Sequence, residues 1–600
     1  MVKKKADYLF ELSWEVCNKV GGIHTVITSK TPETIKTYQD NYFLVGPYFP
    51  DKAVTEFQEK IPPNGLHNLC KKLKKEGIVC HFGKWMIPGE PNTLLLDYQG
   101  FIKKNYDIKG ELWESYKIDS LGTAFHDFDE PILWGVAAGR LLEEIVKSNF
   151  FKDKKIIAHF HEWLACGALL HIKRNKLNIG TVFTTHGTML GRAMAGNNIE
   201  LYKLMGEMDP EKEAYNWEVH PKHQVERVSA HICDVFTTVS EITALQVENF
   251  LKKKPDLLLY NGLNLSDNST FEQISVDHIL YREKIKKFLE CYFFPYYSFD
   301  LDNTLIYFTT GRYEFHNKGF DVFIEALSKL NKELKRKKSK KTIVAFFWVP
   351  RSTMRIKPEI THNRAYFEDV EDSVKDSLDD IERRIIRNLI SGRSISTGNI
   401  FSDKLIFEIK KKVRRFLKEG TPPLCTHDLP DEDKDPMLSY FKKYDLLNRK
   451  EDRVKTIFYP IYLTGADGLL DLSYNEAILG SHLGVFPSYY EPWGYTPVET
   501  AALGVASITT DYAGFGRYLL QDKSRLNRGI FVIEMFNKRH NTKINNLFNC
   551  LYEFSKYNVN DRVKDKVKAH NDASLVGWKT LIGNYILAHN LAVDRVFLKK

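Results

Sequence analysis

Short runs rich in β-branched and aromatic residues recur along this chain, each followed by a glycine or polar turn and a stretch with helical spacing. Residues 8–12, 156–159, 181–185 and 235–239 are such runs in the first part; 305–309, 342–349, 456–462, 484–487 and 505–510 follow in the second. Strands that alternate with helices build parallel sheets covered on both faces, so an α/β fold is expected. A chain of 600 residues is long enough for two such units. Residues 255–262 read as a strand ending in a domain-closing turn. The expected division is therefore 1–265 for a first unit and 266–575 for a second, with 576–600 as a C-terminal helix returning to the first. Residues 366–391 and 403–419 are long, charged and amphipathic, which marks a helical insertion at about 360–420.

The segment from Tyr489 to Glu499 follows one of these strands and opens a helix. Thr496 suits the N-cap, Pro497 the first helical position and Glu499 the capping box, with Gly504 as the stop. A helix N-terminus after a strand of an open sheet is also an anion site. The amides near Gly494, Tyr495 and Thr496 would then hold a diphosphate, and Glu499 would meet a ribose. Glu491 lies where a developing sugar cation needs a carboxylate. Two carboxylates beside one glycosidic bond fit hydrolysis as well as transfer.

Arg312 and Lys318 flank a second turn, 311–319, again at the end of a strand. Two cations there would neutralise a departing diphosphate, one as a fork and one as a point charge. After the first strand, Lys19 precedes Gly21 and Gly22, which let backbone approach a ligand closely. His161 ends another strand in the run His159-Phe160-His161-Glu162-Trp163, where substrate hydrogen bonding is its expected role. The H-x-H pair invites a zinc reading. No cysteine or carboxylate set at ligand spacing accompanies it, so no metal is expected. Asp300-Leu301-Asp302-Asn303-Thr304 resembles a phosphatase D-x-D-x-T box, but the strand begins after it instead of before it. Both aspartates are read as loop residues.

Bulk properties exclude several classes. A net charge of +9 is mild for this length, and the basic run 332–341 carries no interleaved aromatic residue, so no nucleic-acid groove is expected. No apolar run reaches membrane-spanning length, and the N-terminus does not read as a signal peptide. Eight scattered cysteines without a C-x-x-C pair indicate reduced thiols and a cytoplasmic protein.

Taken together, 15–23 (EVCNKVGGI), 158–165 (AHFHEWLA), 183–192 (FTTHGTMLGR), 234–243 (DVFTTVSEIT), 261–264 (NGLN), 311–319 (GRYEFHNKG) and 482–499 (HLGVFPSYYEPWGYTPVE) resemble the animal and fungal glycogen synthases, in the same order. The helical insertion resembles theirs too. The resemblance implies a GT-B fold, two Rossmann-like domains facing across a cleft. It implies retaining transfer of glucose from UDP-glucose to the 4-hydroxyl of an α-glucan such as glycogen, without cofactor or metal.

By motif, Arg312 and Lys318 would bind the donor phosphates, Glu491 would lie by the anomeric carbon and Glu499 by the ribose. His161 and Arg192 would meet sugar and phosphates. Tyr474 would stack on the uracil, and Trp493 would join the donor loop. Closure would carry Arg312 and Lys318 toward Gly21, Gly22 and His161. The insertion would hold a homotetramer, and a glycogenin-like primer protein is an expected partner. A GT-B transferase using ADP-glucose and a catalytically silent glucan-binding subunit are the alternatives.

Two features depart from the family. Its members carry an arginine-rich helix that senses glucose 6-phosphate. Here that stretch holds Arg562, Lys564, Lys566 and Lys568, alternate residues that spread around a helix. The chain also starts close to its first strand and ends at Lys600, so long phosphorylated tails are expected to be absent.

Overall fold

The computed structural model describes residues 2–265, 270–522 and 529–598. The expected boundary after residue 265 falls at the edge of this set, since 266–269 lie outside it. The first sheet holds β1 (Tyr8–Leu12), β2 (Tyr42–Pro47), β3 (Phe57–Glu59), β4 (Val79–Trp85), β5 (Asn92–Asp97), β6 (Ile156–His161), β7 (Gly180–Thr185), β8 (Val235–Thr238) and β9 (Leu257–Leu258). Their spatial order is β3-β4-β5-β2-β1-β6-β7-β8-β9. At one edge β4 runs antiparallel to both β3 and β5, and every other neighbour pair is parallel.

The second sheet is wholly parallel, with the order β14-β11-β10-β15-β16-β17. Its strands are β10 (Thr304–Thr310), β11 (Thr342–Trp348), β14 (Val454–Tyr459), β15 (Leu483–Val485), β16 (Ala506–Thr510) and β17 (Ile530–Ile533); β12 (Arg355–Ile356) and β13 (His427–Asp428) form a separate ribbon.

Both sheets are wound alike. The chain steps outward from a founding strand (β1-β2-β5, or β10-β11-β14) and then crosses to its other side (β6, or β15). This is the doubly wound order, whose ligands sit beyond the carboxyl ends of the strands where the direction reverses. The two switch points lie between β1 and β6 and between β10 and β15. Every residue of β2, β6 and β7 is buried, as expected of parallel strands covered on both faces.

Four helices bear on the site: α1 (Gly22–Tyr38), α2 (Tyr495–Ala502), α3 (Val559–Ala573) and α4 (Trp578–Phe597). α4 lies on the first sheet, where Arg595 pairs with Asp256 at 2.7 Å and His589 meets Tyr38 at 3.0 Å. One apolar cluster joins Leu9 of β1, Val26 of α1, Val498 of α2 and Tyr585 of α4, so the units share core.

The insertion comprises helices Pro358–Lys375, Leu378–Ile390 and Asp403–Phe416, with a single turn at Thr397–Ile400, the first stretch being broken at Asp376-Ser377 where the sequence reads as one helix. Its middle helix exposes Leu378, Ile386, Leu389 and Ile390.

Candidate active site

At the second switch point the loop after β10 is pressed onto the segment after β15. Gly319 caps the helix Phe320–Arg336 with φ 69°, and a Cβ there would collide with the Pro487 carbonyl. Only glycine allows both the angle and the approach. The Tyr489 amide donates to Asn317 O at 2.8 Å, and His316 stacks on Tyr489 at 4.3 Å. This knitting brings Lys318 Nζ to 2.5 Å from Glu491 Oε2, with the two side chains 17% and 22% exposed. Arg312, on the same loop, instead meets Glu314 Oε1 at 2.8 Å and remains largely exposed. A carboxylate and an ammonium thus stand side by side at a ligand-binding edge, one suited to a positive sugar carbon and the other to a departing phosphate.

The helix after this loop begins earlier than its sequence implies. Gly494 is the N-cap, with φ 101°, and α2 starts at Tyr495. Thr496 and Glu499 therefore lie inside the helix, and the capping box read from the sequence does not form. The cause is Gly494, which takes a left-handed angle at no steric cost. Glu499 is left with another partner, the Tyr474 hydroxyl, which donates to its Oε2 at 3.4 Å. Burial raises the Glu499 carboxyl above its ordinary value, and the Tyr474 hydrogen bond opposes this. The side chain of Trp493 is buried against Tyr260 and Phe515, and Tyr495 donates to Gly262 O at 3.3 Å. Both rings therefore pack into the join between the units.

At the first switch point, Lys19, Gly21 and Gly22 are exposed ahead of α1. The Gly21 and His24 amides donate to Glu15 Oε2 at 2.8 and 2.9 Å, so a carboxylate already serves that helix end. Arg192 donates from Nε to Gly187 O and from Nη2 to Glu162 Oε1, both at 3.0 Å. A Cβ on Gly187 would stand 3.1 Å from Pro492 Cγ and 3.3 Å from the Tyr490 hydroxyl, so Arg192 sits at the seam with the Glu491 loop. Ser240 Oγ donates to Pro492 O at 2.6 Å across the same seam. A narrow crevice nearby is lined by Tyr202, His316, Tyr489, Tyr490 and Tyr512.

His161 lies deeper and is buried. Its Nε2 is 2.6 Å from Glu11 Oε1, and its Nδ1 is 3.0 Å from His186 Nε2. The carboxylate that the H-x-H pair lacks in sequence is supplied here by β1. Donor atoms of Glu11, His159 and His161 lie within 4.8 Å of one another. The Lys30 ammonium already bonds Glu11 Oε1, and His161 shares that oxygen. A metal ion would have to displace both. Asp300, in the D-x-D box, accepts the Asp302 and Asn303 amides at 3.0 and 3.2 Å in the loop ahead of β10.

The family profile described as "Glycogen synthase" matches residues 11–600. The liver glycogen [starch] synthase of Mus musculus is 36% identical over 596 residues, 99% of this chain and 84% of that protein. The glycogen [starch] synthase of Dictyostelium discoideum is 36% identical over 598 residues, 99% of this chain and 67% of its own length. The chain belongs to the glycogen synthase family. The catalytic domain of starch synthase IV from Arabidopsis thaliana, bound to ADP and acarbose, aligns over 98% of this chain and 100% of that one, at 12% identity and a TM-score of 0.49.

Membership gives the doubly wound pair of sheets its chemistry, glycosyl transfer, and leaves one further charged region to place. On α3, Arg562 and Lys566 stand one turn apart and share a face, while Lys564 is exposed elsewhere. Lys566 Nζ is 2.8 Å from His278 Nδ1. Arg282 donates to the carbonyls of Gly480 and Ser481, and Arg562 to that of Tyr557. None of the three cations has a carboxylate partner among the described residues. Burial, with Arg282 and Arg562 nearby, lowers Lys566 to about 7. Burial and Arg562 likewise lower Arg282 to about 10. The α3 sequence alone reads as a thinned cationic helix; Arg282 and His278 complete the cluster from a distant helix. No local signal marks those two, nor Glu11 and Lys30, as members of one site.

Proposed function

We propose that this glycogen synthase family member transfers glucose from UDP-glucose to the 4-hydroxyl at a non-reducing end of an α-1,4-glucan, with retention. The observation that carries this reading is the Lys318–Glu491 pair, 2.5 Å apart at a strand-order switch point. When donor enters, Lys318 exchanges its carboxylate partner for a phosphate oxygen, and Arg312 adds a bidentate fork. Glu491, released, faces the carbon that gains positive charge as the diphosphate leaves. Cations placed where charge develops stabilise the transition state without rearranging. The same cations do the work that a metal does elsewhere, so no metal is required. Glu499 takes the ribose hydroxyls and Tyr474 the base.

The cluster of Arg282, Arg562, Lys566 and His278 supports a second ligand, an anionic effector such as glucose 6-phosphate, because buried cations without carboxylates gain from a phosphate. The exposed apolar face of Leu378–Ile390 favours assembly of copies through the insertion, as a homotetramer. No helix among the described residues is long and apolar enough to cross a membrane. All eight cysteines are free thiols, which favours the cytoplasm, where a glycogenin-like primer would be met.

The test is incubation with labelled UDP-glucose and glycogen, with and without ADP-glucose as competitor, glucose 6-phosphate and a chelator. Incorporation that resists ADP-glucose and chelator is expected. Preferential use of ADP-glucose or loss of activity to the chelator overturns the donor or metal-free part, and no incorporation overturns the transferase reading.

A further inference from the structure

Beneath the first switch point a buried ion pair, Glu11 with Lys30, touches His161 at the end of β6. Glu11 Oε1 accepts from the Lys30 ammonium, Oε2 accepts from the Tyr42 hydroxyl at 2.6 Å, and His161 Nε2 stands 2.6 Å from Oε1. All of these groups are buried. Burial alone would raise the Glu11 carboxyl, but Lys30 and the His161 hydrogen bond outweigh it and hold it well below the usual range. Burial keeps His161 and His186 below theirs, so both rings are neutral.

A charged carboxylate accepts only, so His161 carries its proton on Nε2 and its Nδ1 accepts. His186 Nε2, 3.0 Å from that Nδ1, must then be the donor. This leaves His186 Nδ1 unprotonated, with no hydrogen bond among the described residues.

The neighbouring ring is fixed in the same sense. Thr237 Oγ1 donates to Phe183 O at 3.1 Å, so it accepts from Thr184 Oγ1 at 2.6 Å. Thr184 then accepts from His159 Nε2 at 2.7 Å, and His159 Nδ1 accepts from His589 Nε2 at 3.3 Å. The Tyr38 hydroxyl closes that row on His589 Nδ1 at 3.0 Å. His159 stacks on His161 at 4.4 Å, so its ring holds the plane in which His161 lies.

We propose that Glu11 is a positioning residue for glucosyl transfer, fixing His161 and His186 as Nε2–H tautomers so that His186 Nδ1 is the acceptor offered to a sugar hydroxyl. The role in transfer rests on the reading above; the tautomer assignment does not. A carboxylate that only neutralised Lys30 could be replaced, together with Lys30, by apolar side chains at little cost. A positioning carboxylate cannot, because the acceptor for His161 Nε2–H would go with it.

The test compares two double variants that both lack the buried charges. Glu11→Gln/Lys30→Met keeps an amide oxygen for His161, and Glu11→Met/Lys30→Met keeps none. Each is assayed for melting temperature, kcat, KM for donor and KM for glucan. The tautomer is read from the ring-carbon shift of histidine-labelled protein, assigned with His161→Gln. The expected result is two folded proteins of similar melting temperature. The glutamine form should stay within about threefold of wild-type kcat. The methionine form should lose at least tenfold in kcat, with KM for glucan unchanged and a changed His161 tautomer. Equal kcat in the two variants overturns the positioning role. An unchanged His161 shift in the methionine form overturns the tautomer assignment. If wild-type protein transfers no glucose at all, the proposed function fails while the shift still decides the assignment.

Discussion

The two switch points share a topology and differ in electrostatics. Beyond β10 and β15, charges stand at the surface: Arg312 is mostly exposed, and Lys318 and Glu491 are paired but reachable. Beyond β1 and β6, Glu11, Lys30 and His161 are shut away and bonded to one another, and only the far nitrogen of His186 is left without a protein partner among the described residues. A pair that water still reaches costs less to separate than a sealed one, so it can trade its partner for a ligand. A buried pair cannot trade, because the group left behind would stand uncompensated in an apolar surround. The same residue types therefore serve as the moving parts of a site in one sheet and as its fixed frame in the other.

That contrast can be broken by experiment. The largest expected effect is on turnover: Lys318→Ala and Arg312→Ala should each cut kcat by about 10²–10³. Thermal unfolding of the Lys318 variant should shift by no more than about 1 kcal/mol. A comparable loss of stability and turnover at Lys318 would erase the distinction.

Next is the converse substitution. Glu11→Met alone leaves the Lys30 ammonium buried and unpaired and should cost about 3–5 kcal/mol of unfolding free energy, read from denaturant midpoints. A smaller effect comes from Glu499→Gln, which keeps the Tyr474 contact but weakens acceptance from ribose. It should raise the donor KM about tenfold, roughly 1.4 kcal/mol, with kcat little changed. A fall in kcat with constant KM would move Glu499 out of ribose binding.

The smallest effect concerns the cluster on α3. Lys566 is lowered from 10.5 to about 7 by burial and by Arg282 and Arg562. Between those values the unfolded chain holds a proton that the folded chain lacks, so stability should rise with pH across that window. Lys566→Met should flatten the slope, and so should saturating phosphate, whose charge raises the lysine again. A slope that survives both would place the titration elsewhere.

How much of this was legible beforehand varies from residue to residue for physical reasons. Lys318 and Glu491 stand out because each lies in the loop that follows a strand, and the carboxyl ends of strands are where α/β sheets place ligands. The helix start near Thr496 was misplaced by two residues, since a glycine N-cap offers no side chain to read. Trp493 sits inside a motif, yet its ring belongs to the core between the units. Arg562 and Lys566 read as a weakened row because a helix shows only its own residues, while Arg282 and His278 arrive from another.

Periodicity and turn chemistry are local, and by themselves they fixed the strand–helix alternation, the loops that end in glycine and the family motifs. Pairing is not local. Glu11 lies 150 positions from His161, and Lys318 lies 173 from Glu491. Only the order in which strands were laid beside one another decided that these side chains meet, which of them is sealed from water, and so which carboxylate is left for the substrate.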